Sequence, residues 1–280
     1  MKKLILIVGP TASGKTDYAI EVANQYRSPV ISCDSRQIYR ELKIGTAPPS
    51  EEQLRRVKHY FIFSHSIHDY YTAGKYELDA LKLMHALYKE HDTLVMAGGS
   101  GLYADALCYG IDDFPPADME LREELTARVK EEGGVEVLRQ ELKRLDRESY
   151  DAIDIANPQR IVRALEVTLG TGKKFSSFKS FRKKEREFEI ERIVLSLPRE
   201  ELYERINSRV DKMMEQGLMK EAESMLPFRN RPALKTVGYK ELFEYFDGKI
   251  GLDEAVSMIK QNTRRYAKRQ ITWFKKPYSL

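Results

Sequence analysis

The chain has 280 residues, 42% of them hydrophobic and 32% charged with both signs abundant, which specifies a folded core and excludes a disordered polypeptide. Its longest purely apolar run, Leu4–Val8, is too short for a membrane span of about 20 residues or for a signal-peptide core. Cys33 and Cys108 alone build neither a disulfide framework nor a zinc site, so a reduced, cytoplasmic setting is expected. The net charge of +4 is unevenly spread. After Glu254 no acidic residue follows, while Lys260, Arg264, Arg265, Lys268, Arg269, Lys275 and Lys276 give the tail +7 and leave −3 on the rest. A basic stripe on a nearly neutral body is the footprint of a polyanion partner.

In chain order, Lys2–Val8 reads as a buried strand punctuated by Gly9-Pro10, and a helix is predicted over Thr16–Tyr26 from its 3.6-residue apolar spacing. Pro29–Cys33 is a second short strand ending at Asp34. Ala73–Tyr88 is helical, and Thr93–Ala97 is a third strand ending at Gly98-Gly99. Strands alternating with helices predict an α/β fold with a parallel sheet flanked by helices, whose ligands bind at the strand carboxyl ends. From Asp113 to Glu189 the chain is charged and helical by pattern, and Ile190–Leu197 is strand-like again. The expected division is a core over 1–112, a helical insert over 113–189 and a second part of the core over 190–280.

Gly9-Pro10-Thr11-Ala12-Ser13-Gly14-Lys15-Thr16 matches G-x-x-x-x-G-K-[ST]. Glycines let backbone N–H groups curl round an oxyanion, the following helix turns its positive end to it, and Lys15 adds a mobile charge. Thr16 is placed to hold Mg²⁺ beside a diphosphate or triphosphate. Asp34 can serve as a proton acceptor or a metal ligand, or it can cap a helix start in Asp34-Ser35-Arg36-Gln37. Gly98-Gly99-Ser100-Gly101 occupies the strand end where an ATPase usually carries an acid, and reads either as a tight turn or as a substrate-positioning loop built on Ser100. Arg205 and Arg209 share a helix face at i,i+4, suited to a departing diphosphate or to surface ion pairs. On the terminal helix Val256, Ile259, Thr263, Ala267, Ile271 and Phe274 form an inner face. Lys260, Arg264 and Lys268 form an outer row, either phosphate-facing or simply solvated. The five histidines show no metal spacing.

Taken in order, Gly9–Thr16, Asp34–Tyr39, Ile44–Ala47, Gly98–Tyr103, Asn157–Arg160, Arg163–Glu166, Gly238-Tyr239 and Thr263–Phe274 make the chain resemble the bacterial tRNA dimethylallyltransferases over nearly its whole length. That resemblance implies a P-loop kinase-like core with a helical insert. It also implies transfer of a dimethylallyl group from dimethylallyl diphosphate to N6 of the adenosine just 3′ of the tRNA anticodon, after that base is extruded from its stack. By the same resemblance Asp34 is the base, Ser100 stands where relatives more often carry Thr, and Arg205 with Lys15 and Thr16–Mg²⁺ neutralises the diphosphate. Arg209 is a weaker candidate for that duty. Asp34, Ser35, Arg36, Gln37, Ser100, Arg122, Gln159, Arg160, Ile161, Val162 and Arg163 would touch the anticodon stem-loop. The partners so implied are tRNA and dimethylallyl diphosphate, with Mg²⁺ as cofactor; the short apolar runs speak against a membrane partner, and the lack of a coiled-coil pattern or large apolar seam favours a monomer. A small-molecule or nucleoside kinase is the alternative, strained by Gly98-Gly99 and by the +7 tail.

Overall fold

A computed structural model of the chain describes residues 1–180 and 183–275. Its elements are β1 (Lys2–Val8), α1 (Lys15–Tyr26), β2 (Val30–Ser32), α2 (Glu51–Arg56), β3 (His59–Tyr60), α3 (Ala73–Leu87), β4 (Thr93–Gly98) and α4 (Gly101–Tyr109). Then follow α5 (Met119–Val129), α6 (Gly134–Leu145), α7 (Arg147–Ala152) and α8 (Pro158–Thr171). The chain closes with β5 (Phe188–Val194), α9 (Arg199–Glu215), α10 (Leu218–Ser224), α11 (Tyr239–Phe246) and α12 (Leu252–Lys275). Two compact units result: Met1–Gly110 with Glu185–Leu280, and Ile111–Lys184. The insert is therefore shorter than the 113–189 expected, because β5 starts at Phe188 and runs beside β1 from Lys2 onward. Glu189 and Glu191 disguise that start in the sequence; they alternate outward on an edge strand.

In the first unit the sheet order is β3-β2-β4-β1-β5, and every recorded pairing is parallel. Successive side chains of β1 leave on opposite faces. Leu4, Leu6 and Val8 join Ile31, Leu94 and Met96 under α3 and α4, where Tyr76, Ala80, Met84 and Leu107 are buried. Ile5 and Ile7 join Val30 and Val95 under α1, against Ala19, Ile20 and Ala23. Burial on both sides explains why β1 reads as a continuous apolar run. The carboxyl ends of β2, β4 and β1 thus lie side by side, and from them emerge Asp34, the Gly98–Gly101 turn and the glycine loop. Gly98 is required there: a Cβ would stand 2.6 Å from the Cys33 carbonyl carbon.

A second cluster, built on Ile38 and Leu42 with Leu218, Leu234, Leu242 and Ile259, joins the segment after Asp34 to α10, α11 and α12. A smaller cluster sets Ala12 of the glycine loop against Leu202 and Ile206 of α9 and Ala267 of α12. The expected outer row on α12 is not one: Lys260 pairs with Asp211 at 2.6 Å and Arg264 donates to Asn207 Oδ1 at 2.6 Å, both on α9, and Lys268 alone of the three is exposed. Lys276 lies outside the described residues.

The second unit has its own core of Leu125, Leu138, Leu142, Ile161, Ala164 and Leu165. Ile161 is 0% exposed and Val162 is also buried, so the side chains of these two expected RNA contacts belong to the core instead. Arg122 and Arg163 converge on the buried Glu166, at 2.6 and 2.7 Å, and Asp118 N–H donates to the same carboxylate. Gln159 and Arg160 remain exposed on the first turn of α8. Among the described residues no helix is long and apolar enough to cross a membrane.

Candidate active site

The glycine loop turns through three positive-φ residues, Gly9, Ala12 and Gly14, and closes with Ser13 N–H donating to the Pro10 carbonyl at 3.3 Å. Lys15 folds back over it, its Nζ donating to Pro10 O at 2.6 Å. Burial lowers the Lys15 pKa to about 8; the Asp34 carboxylate opposes this and Arg209 adds to it. Ser13 Oγ is buried and has no hydrogen-bond partner among the described residues. An orphaned buried hydroxyl beside a lysine in an N–H-lined turn is what a bound phosphate oxygen satisfies.

α9 supplies the cationic wall. Arg209 donates from Nη1 to Thr11 Oγ1 at 3.2 Å; burial lowers its pKa, the charge of Arg205 adds to this, and Asp17 opposes it. Arg205 is exposed, pairs with Glu201 at 2.8 Å, and has its Nη1 3.9 Å from the place a Cβ on Gly14 would occupy. Both arginines therefore reach the loop, and Arg209, the weaker candidate by resemblance, is the one bonded to it.

On the β2 side, Asp34 Oδ1 accepts Arg36 N–H at 2.9 Å and Gln37 N–H at 3.3 Å. This is an Asx turn and not a helix cap: residues 35–38 are turn, and Gln37 turns its amide away to the Thr46 and Ala47 carbonyls. Oδ2 is left without a hydrogen bond among the described residues. Ser100 Oγ accepts Ser35 N–H at 2.8 Å and donates to Ser35 Oγ at 2.9 Å, pinning the β4 turn to the Asp34 turn. The Tyr266 phenol of α12 lies beside them, its pKa pushed up to about 12 by burial and by Asp34, against Arg36, a hydrogen bond with Ser100, and Arg269. Arg36 itself is drawn to the Pro232 and Ala233 carbonyls.

Two contributors lie within the family-like stretch Thr263–Phe274 without having been assigned a place in the site. Gln270 of α12 accepts Thr11 N–H at 2.8 Å and donates to Gly99 O at 2.8 Å. Trp273 packs over Gly101, which has no room for a Cβ, and donates to Asp105 at 2.8 Å. The charges dominate the composition of this helix, and the period that places Gln270 and Trp273 inward offers no chemical signal. Among the described residues no group of three or more His, Cys, Asp or Glu side chains suits a metal ion.

The profile of the IPP transferase family matches residues 37–277. The chain belongs to the IPP transferase family. Within that family it is 48% identical over 276 residues to tRNA dimethylallyltransferase 1 of Bacteroides thetaiotaomicron, covering 99% of this chain and 89% of the relative. The full-length tRNA isopentenylpyrophosphate transferase of Bacillus halodurans superposes with a TM-score of 0.71 at 35% identity, covering 100% of this chain and 88% of that one. A eukaryotic dimethylallyltransferase acting on tRNA shares the fold at a TM-score of 0.78 and 23% identity, over 99% of this chain and 71% of that one. The parallel sheet with its phosphate loop is thus the P-loop NTPase-like core of IPP transferases.

Proposed function

We infer that this IPP transferase is a tRNA dimethylallyltransferase, moving a dimethylallyl group from its diphosphate to N6 of the adenosine 3′-adjacent to the anticodon. The observation that carries the chemistry is Asp34: one carboxylate oxygen is spent on its own turn, the other is unbonded among the described residues, and its charge is felt by Lys15 across the strand ends. An exocyclic adenine amine is a poor nucleophile, so the reaction needs a proton acceptor at nitrogen and an easily expelled leaving group. As N6 bonds to the allylic carbon, that carbon's bond to the diphosphate oxygen breaks, the N6 proton passes to Asp34 Oδ2, and diphosphate leaves. Lys15, Arg209 and Arg205 neutralise the charge growing on the leaving oxygens. Ser13 Oγ and the loop N–H groups hold the diphosphate in place.

The Thr16 hydroxyl is a hard oxygen donor beside the phosphate loop, so the cradle suits Mg²⁺ with its phosphates; Thr16 would hold it and it would add to charge neutralisation. Ser100 positions the acceptor through Ser35, while Gln159 and Arg160 of the insert, exposed at a helix start, offer contacts to the RNA. The decisive experiment supplies labelled dimethylallyl diphosphate and unmodified tRNA to wild type and to Asp34→Asn, which preserves the Asx turn. Label should pass to tRNA in the wild type and fall at least about 100-fold in the variant. ATP turnover without prenyl transfer would instead establish a kinase.

A further inference from the structure

The β1–β4 ladder ends with Val8 opposite Gly98. Beyond that rung the phosphate loop and the turn carrying Ser100 part company, and a side chain supplies the next link. Gln270 Oε1 accepts Thr11 N–H and Gln270 Nε2 donates to Gly99 O, both at 2.8 Å, with the residue only 5% exposed. A Cβ on Gly99 would collide with that same Nε2. Gly99 adjoins Ser100, whose hydroxyl accepts Ser35 N–H, and Ser35 adjoins Asp34. A continuous path therefore runs from the diphosphate cradle to the carboxylate, with one carboxamide at its middle.

We propose that Gln270 is a positioning residue, which ties the phosphate loop to the Ser100 turn and so fixes the separation between the leaving group and Asp34. The proposal rests on the prenyl-transfer reading for its kinetic part only. The chemistry is restrictive. One group must accept from an N–H and donate to a carbonyl at once, which a carboxamide does and a carboxylate does not. Reacting groups displaced by about 1 Å can lose on the order of 100-fold in rate. Loosening the tie should therefore act on turnover, while the Lys15 and Thr16 side of the cradle keeps its hold on the donor.

Gln270→Met removes both bonds, and Gln270→Glu keeps only the first while ionised. In Gln270→Met, kcat for transfer to tRNA should fall at least 10-fold, with the KM for dimethylallyl diphosphate within threefold of wild type. Once protonated, the carboxyl introduced by Gln270→Glu reproduces the carboxamide's donor and acceptor, so the ratio of that variant's kcat to the wild-type kcat should rise at least fivefold from pH 8.5 to pH 6. A merely structural role would leave that ratio flat. Amide hydrogen exchange in Gln270→Met should quicken at Thr11 and also at Ser35, two links further on. A kcat within twofold of wild type, a flat pH ratio, or unchanged exchange at Ser35 would each overturn the proposal. Should Gln270→Met not fold, the pH ratio of Gln270→Glu decides. A wild type that transfers no label to tRNA sinks the function reading, and exchange at Ser35 then decides the tie by itself.

Discussion

Lys15 shows how a single residue trades stability for binding. Its ammonium is held where burial lowers the pKa to about 8, against 10.5 in the open chain. Between those values the unfolded chain binds the additional proton, so stability from this group rises with pH across the window and the penalty is complete below pH 8. Lys15→Met should therefore raise the melting temperature at pH 7, and its advantage over wild type should shrink as pH climbs from 8 past 10. The same substitution removes a charge from the diphosphate cradle, so the KM for the prenyl donor should rise at least 10-fold. In wild type that KM should also rise as pH passes 8 and the free enzyme loses the Lys15 proton. Calorimetry across pH, with donor KM measured in parallel, checks both; a Met variant less stable than wild type at pH 7 would remove the burial argument.

At the scale of elements, β1, β2 and β4 were legible as short apolar runs closed by Gly, Pro or Asp, and the phosphate loop by its spacing. β3 was not: two residues, His59 and Tyr60, carry no period, and only pairing with β2 makes them a strand. Asp34 was legible as a residue and ambiguous in role, because an Asx turn and a helix cap share one sequence pattern. Wholly illegible was Glu221 of α10, whose carboxylate accepts Lys43, Ile44 and Gly45 N–H and the Tyr239 hydroxyl, at 2.6 to 2.9 Å. Its backbone partners lie 176 to 178 residues away, and nothing local marks it. This one side chain moors the Ile44–Ala47 segment to α10 and α11, while Gln37 grips the same segment's carbonyls from the Asp34 turn. Glu221→Ala leaves three N–H groups and a phenol without an acceptor and should cost about 2 kcal/mol or more. A urea midpoint that falls with an unchanged slope would report it; an unmoved midpoint would show the segment to be held by its packing alone.

Across the whole molecule, the charge asymmetry first seen in composition separates into two kinds of cation once the fold is known. Lys260 and Arg264 are spent within the protein, tying α12 to Asp211 and Asn207 of α9. Lys268 and Arg269 are exposed on the same helix, in the half that carries Tyr266, Gln270 and Trp273 to the Ser100 turn. A polyanion releases counterions only from phosphates that cations reach, and each such contact steepens the salt dependence of binding by roughly 0.7 to 0.9 in log–log slope. Replacing Lys268 and Arg269 together by Gln should weaken tRNA binding and flatten that slope by up to about 1.8. Lys260→Gln with Arg264→Gln should leave the slope in place and lower the melting temperature instead, since it unties two helices around Ala12 of the phosphate loop. Filter binding between 50 and 200 mM salt distinguishes the pairs. Equal slopes in both double variants and wild type would mean that the RNA does not touch this face of α12.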